Sequence, residues 1–298
     1  MLETPDLRFF GRSEQLHLAF CGIWQFQTQN GGRLPGNSEE DFLAVLANVK
    51  AINAANKDTE GLYVEEIDEK VIQNATLYSR ACISPMAAFF GGVVAQEIVK
   101  YTGKYSPLKQ WLHYDIFETL PRVAADRTPM NCRYDDQILV YGREVQEKLT
   151  KIRTFMIGAG ALGCEYVKAF ALMGVGCSEQ GKVTVTDNDN IEVSNLNRQF
   201  LFRKNNVGDS KSHVACQIAK DINKNLNVTD YKAYVSQETE SLFNDDFWEG
   251  LSFVVNAVDN IKARLYVDSR CVWYAKPLLE SGTLGTKANS QMVIPYKT

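Results

Sequence analysis

The stretch Arg153-Thr154-Phe155-Met156-Ile157, followed at once by Gly158-Ala159-Gly160-Ala161-Leu162-Gly163, decides the fold. A run of strand length leads into a glycine-spaced turn, and the residues after it, 162–173, have helical character. A turn of this kind brings backbone N–H groups to a helix N-terminus, where phosphate or ribose can approach closely. Taken alone the motif also fits a bare structural turn.

Reading outward, the pattern repeats. Apolar segments 182–187, 231–236, 253–257 and 278–281 alternate with helical segments 211–225 and 262–275, the order expected of a parallel sheet with helices on its faces. The fold class is therefore α/β, a Rossmann-like, mostly parallel sheet, preceded by a helical bundle segment. Upstream, Asn30-Gly31-Gly32-Arg33-Leu34-Pro35-Gly36-Asn37 is a loop, because its glycines and proline interrupt a helix. Ser38 then caps a helix over 42–56, with acids at its start. Ser84-Pro85 opens a second clear helix through Lys100, in which Gly91-Gly92 leaves room for a close neighbour, and the segment terminates at Gly103. Residues 111–117 read as a strand, and Pro121 and Pro129 mark a linker within 121–136. The expected domains are a helical bundle over 1–78, a second piece over 79–130 and the nucleotide domain over 131–298.

Composition narrows the function classes. With 298 residues, 45% hydrophobic and 23% charged, the chain can bury a sizeable core. A formal net charge of -4 supplies no basic footprint for nucleic acid. No apolar run is long enough to span a bilayer, and Met1 to Phe10 carries acids where a leader would be basic, so a membrane partner is not expected. The seven cysteines form no CxxC pair and read as reduced thiols, several of them in the core. His17, His113 and His213 are widely scattered in sequence, and none suggests catalysis.

The candidate site begins with Gly158, Gly160 and Gly163. Asp187 ends the next strand, where an acid can bind ribose hydroxyls. Arg198 and Lys211 follow in a polar cluster that includes Asp189, and fixed cations suit the outer phosphates of a triphosphate better than a dinucleotide's pyrophosphate. The plainer reading of those two cations is a solvated charged face. Asp259 ends another strand, at the side of a parallel sheet where ligands collect, and its carboxylate suits magnesium held against phosphate oxygens. The competing role for Asp259 is an N-cap of the helix over 262–275. Glycines in Glu280-Ser281-Gly282-Thr283-Leu284-Gly285-Thr286 would let an extended substrate tail approach the backbone, or simply form a loop.

Three of these stretches, Gly158 to Gly163, Ser194-Asn195-Leu196-Asn197-Arg198-Gln199-Phe200-Leu201-Phe202 and Pro277 to Thr286, resemble the active adenylation domain of single-chain eukaryotic ubiquitin-activating enzymes. Residues 84–100 and Gln110-Trp111-Leu112-His113-Tyr114-Asp115 resemble the closing part of that family's inactive adenylation domain, and residues before about 78 its four-helix bundle. The resemblance implies an internal piece, without the family's catalytic-cysteine and ubiquitin-fold domains, and so without thioester chemistry and with little activity alone. It implies ATP and magnesium as cofactors, ubiquitin as substrate, ubiquitin-conjugating enzymes as partners through domains outside this piece, and a cytoplasmic and nuclear location. It places Ala161 beside the adenylate, Asp187 on ribose, Arg198 and Lys211 on the phosphates, and Asp259 with Asn260 at the magnesium and nucleotide site. Asn195, Gln199 and Asp189 are further members, Asp189 as a second metal ligand. Arg143 occupies the pseudo-symmetric counterpart of a family arginine and is not assigned that arginine's role. Two other readings compete. A nicotinamide-dependent oxidoreductase explains the glycine turn and Asp187 but leaves Arg198, Lys211 and Asp259 idle, and a non-catalytic scaffold half for another modifier would not need the polar cluster.

Overall fold

The computed structural model describes residues 11–59, 62–285 and 287–298. The reading of Met1 to Phe10 as unlike a leader lies outside them. Two compact units divide between Arg143 and Glu144, and each is taken separately.

In the first unit, α1 (Arg12–Gln29), α2 (Glu39–Ala55) and α3 (Glu69–Leu77) bury one another around Leu18, Ile23, Phe26, Val45, Val49 and Ile72. Ser38 caps α2 as expected, accepting from the Asp41 N–H at 3.2 Å. The loop before it is held by Arg33, whose guanidinium donates to both oxygens of Asp41 at 2.7 and 2.8 Å. Helix α4 (Ser84–Lys100) starts and stops at its expected bounds, but no described residue of it is buried, and nothing lies within 4 Å of where side chains at Gly91 and Gly92 would begin. The expected close neighbour is thus not among the described residues.

Residues 111–117 are not a strand. They run irregularly into a short 3-10 turn at Phe117–Thr119, because an extended segment becomes a strand only where another pairs with it, and no described residue does so here. The fold also brings His17 and His113 together, Nδ1 to Nε2 at 3.4 Å, although they stand far apart in sequence. Helix α5 (Asp135–Tyr141) is fastened to this unit: the Cys82 N–H donates to Asp136 at 2.9 Å. The division between units consequently falls a few residues beyond the proline-containing segment.

Helix α6 (Arg143–Thr150) starts at the last residue of the first unit, and in the second unit it leads into a six-stranded sheet of order β3-β2-β1-β4-β5-β6. Its strands are β1 (Arg153–Ile157), β2 (Lys182–Thr186), β3 (Val228–Tyr231), β4 (Phe253–Asn256), β5 (Leu278–Leu284) and β6 (Lys287–Val293). The first five are mutually parallel, and β6 turns back antiparallel on β5. Helices α7 (Ala161–Met173), α8 (Lys211–Ile222), α9 (Asp245–Glu249) and α10 (Ile261–Trp273) cover it. Alternation along β1 divides the core: Met156 packs with Val167, Val185 and Val214 on one face, while Phe155 and Ile157 pack with Trp248, Val254 and Val267 on the other.

One expected strand shifts, another, 278–281, runs on to Leu284 through a segment read as a possible loop, and a sixth strand is new. The third strand is 228–231 rather than 231–236, because β2 stops at Thr186, opposite Tyr231, and leaves nothing to pair with the following residues. The antiparallel β6 lacks an apolar run, since Ala288, Asn289, Ser290 and Gln291 lie on an exposed edge. No described helix is long and apolar enough to cross a membrane.

Candidate nucleotide site

Strand order reverses around β1, with β2 on one side and β4 on the other, so a crevice opens beyond the carboxyl ends of β1 and β4. A cleft of about 680 Å³ lies there. Its floor is the glycine turn. Gly158 has φ +99, and a side chain on it would begin 2.6 Å from the Ala257 carbonyl oxygen, so only glycine lets β1 pass β4 at that point. Gly160 and Ala161 open α7 and line the cleft. Gly163 does not line it: a side chain there would begin 2.2 Å from the Gly158 carbonyl oxygen, and its glycine serves the close approach of helix to turn.

Asp187 braces this turn. One carboxylate oxygen accepts from the Ala159 N–H at 2.7 Å and the other from the Asp189 N–H at 2.8 Å. Burial pushes the Asp187 carboxyl above the usual aspartate range, opposed by those two N–H donors and by the Lys211 charge. Lys211, the first residue of α8, is 8% exposed and its ammonium contacts Asp189 Oδ2 at 2.8 Å. Arg198 is exposed on the cleft wall, donating to the Ser194 carbonyl at 2.9 Å and to Asn197 at 3.0 Å. Asn195 and Gln199 are buried beside it. The Asn195 side chain accepts from the Glu192 N–H, whereas Gln199 Oε1 is buried with no hydrogen-bond partner among the described residues. An orphaned acceptor at the edge of a polar cleft is what a ligand hydroxyl or amino group would satisfy.

Across the cleft, Asn260 and not Asp259 caps α10, accepting from the Ala263 N–H at 2.8 Å. The competing cap role for Asp259 is thereby answered: among the described residues its exposed carboxylate makes neither hydrogen bond nor ion pair. No group of three or more His, Cys, Asp or Glu side chains is placed to hold a metal among the described residues. Asp259 alone, or with Asp189, fits magnesium's preference for one or two carboxylates completed by phosphate oxygens and water. Arg143 lies in the first unit, where it donates to the Thr128 and Pro129 carbonyls at 2.7 and 2.9 Å.

Every other sequence-derived site residue lines the cleft: Gly158, Gly160, Ala161, Asp187, Asp189, Asn195, Arg198, Gln199, Lys211, Asp259 and Asn260. Sequence reasoning missed Thr186, Tyr234, Val235 and Arg264. Arg264 had a signal, since it lies one helical turn beyond the cap Asn260. Tyr234 and Val235 had none once their segment was read as strand.

Residues 134–298 match the ThiF family. The chain belongs to the ThiF family. Residues 1–53 of this ThiF-family chain also match the four-helix bundle of ubiquitin-activating enzyme E1. It is 50% identical over 298 residues to ubiquitin-activating enzyme E1 2 of Arabidopsis thaliana, covering 98% of this chain and 27% of that one. It is 44% identical over 301 residues to ubiquitin-like modifier-activating enzyme 1 of Homo sapiens, covering 99% of this chain and 28% of that one. To ubiquitin-activating enzyme E1 1 of Candida albicans it is 44% identical over 303 residues, covering 98% and 30%. The ThiF-family chain thus spans less than a third of the length of these relatives.

Proposed function

We propose that this chain carries the nucleotide site of a ubiquitin-activating enzyme, binding ATP with magnesium for attack by the C-terminal carboxylate of ubiquitin. The observation that carries the reading is the cleft itself: a helix N-terminus, a buried lysine and an unpartnered aspartate all line one crevice at the reversal of strand order. The names of the relatives support the ubiquitin assignment.

In this reading the Gly158 to Ala161 backbone and the α7 N-terminus receive phosphate oxygens. Asp187 holds that turn while facing the ribose, and Gln199 Oε1 accepts from a ligand donor. Lys211 exchanges its bond to Asp189 for the phosphates, and Arg198, on the exposed wall, swings onto them. Both cations stabilise charge that grows on the phosphates as the tail carboxylate oxygen bonds to the α-phosphorus and pyrophosphate departs, leaving an acyl-adenylate. Magnesium, when bound at Asp259, would neutralise further phosphate charge there. Transfer to ubiquitin-conjugating enzymes belongs to the wider enzyme.

Calorimetric titration tests the ligand class. ATP with magnesium binds this chain saturably, binding is lost in the Lys211→Ala, Asp259→Ala double variant, and nicotinamide dinucleotide does not compete. Tight dinucleotide binding without ATP binding would overturn the reading in favour of an oxidoreductase.

A further inference from the structure

Arg264 has no part in the chemistry above, yet its guanidinium joins three elements around the cleft. From α10 it donates to the Val258 carbonyl at 2.6 Å and to the Ser281 carbonyl at 3.2 Å, and it pairs with the Glu280 carboxylate. The other oxygen of Glu280 accepts from Asn256 Nδ2 at 2.7 Å, and Asn256 is wholly buried at the end of β4. One cation therefore ties the end of β4, the strand β5 and the start of α10 into a single polar unit. Its side chain is 30% exposed and that of Glu280 24%, so neither is a freely solvated surface charge.

Val258 immediately precedes Asp259, and fixing its carbonyl fixes the peptide that carries the unpartnered carboxylate. Arg264 stands five residues beyond Asp259, which precedes α10; with its guanidinium engaged by Glu280 and two carbonyls, it makes no ion pair with that carboxylate. Gly282 is shaped to this arrangement, since a side chain on it would begin 2.9 Å from one guanidinium nitrogen and 3.2 Å from the other. The glycine there makes room for Arg264.

We propose that Arg264, held by Glu280, is a positioning residue that sets the Asp259 turn for a divalent cation. The proposal rests on the reading of the cleft as a nucleotide site. Lysine cannot reproduce it, because a point charge cannot donate to two carbonyls and a carboxylate from one planar fork.

The experiment compares wild type with Arg264→Gln, Arg264→Lys, Glu280→Gln and Gly282→Ala by ATP calorimetry with magnesium and with EDTA. Backbone hydrogen exchange over residues 257–261, measured without nucleotide, provides the second readout. Each variant is expected to weaken ATP binding about tenfold with magnesium, the scale seen when a group supporting a metal ligand is removed. Each loses several-fold less in EDTA than with magnesium and speeds exchange in the turn. The Arg264→Gln, Glu280→Gln double variant is no weaker than either single one. Equal losses with and without magnesium would show direct phosphate contact and overturn the proposal, as would full function in Arg264→Lys or unchanged exchange. Circular dichroism of Gly282→Ala, which alters no charge, separates displacement of Arg264 from general unfolding. If wild type binds no ATP at all, the nucleotide reading falls by itself, and the exchange rates still decide whether Arg264 holds the turn.

Discussion

Asp187 uses both carboxylate oxygens on backbone N–H groups of the turns that shape the cleft. Asp187→Ala leaves the part-buried Ala159 N–H without its acceptor, at about 1–3 kcal/mol, while the exposed Asp189 N–H turns to water. It is expected to lower unfolding stability in urea and to weaken ATP binding at least about tenfold, while Asp187→Asn retains only one of the two bonds. Asp41 in the first unit provides a pH signature. The Arg33 guanidinium, bonded to both of its oxygens, holds its carboxyl down from the ordinary 3.8 to about 2. A carboxyl lowered in the folded state stabilises above its unfolded value, and the contribution is lost as pH falls from 3.8 through about 2. Melting temperature measured across that window should fall less steeply in Asp41→Asn, which should also melt several degrees lower near neutrality.

Among the elements, α9 shows how five residues can matter to a sheet. Its Trp248 is 2% exposed, meets the Phe155 ring edge-on at 5.8 Å and donates its indole N–H to the Phe243 carbonyl at 3.1 Å. Trp248→Ala is expected to cost about 3–5 kcal/mol, read from the urea midpoint, as large core deletions do. Periodicity could not announce α9, because five residues carry no helical period; its local signals are Asn244, which caps it by accepting from the Phe247 N–H at 3.0 Å, and the acids Asp245 and Asp246 in its first turn. By contrast β1, α4 and α7 were legible, since strand length, the proline at a helix start and the glycine turn are local features. The antiparallel β6 and the irregular course of 111–117 were not, because both depend on whether another strand lies alongside. The candidate site divides the same way. Asp187, Lys211 and Asp259 follow from their places at strand ends and helix starts, whereas the linkage of Arg264 to Glu280 exists only once β5 and α10 are side by side.

At the scale of the molecule, the two units have separate buried clusters, and the thiols report on both. Burial raises the thiol pKa of Cys164 and Cys271 to about 12, and raises that of Cys216 as well, so none presents a thiolate near neutrality. Cys82 and Cys132 are exposed. A thiol reagent should therefore modify Cys82 and Cys132 in the folded protein and reach Cys164, Cys216 and Cys271 only on unfolding, as peptide mass mapping would show. The ThiF-family sheet supplies the cleft, in which the proposed ATP sits between the glycine turn and the Asp259 turn. Hydrogen exchange of the chain with and without ATP and magnesium tests it most directly. Slowed exchange is expected in residues 158–162, 187–199 and 257–263, with none in the first unit; protection confined to the first unit, or absent from all three segments under saturating nucleotide, would rule out this placement of ATP.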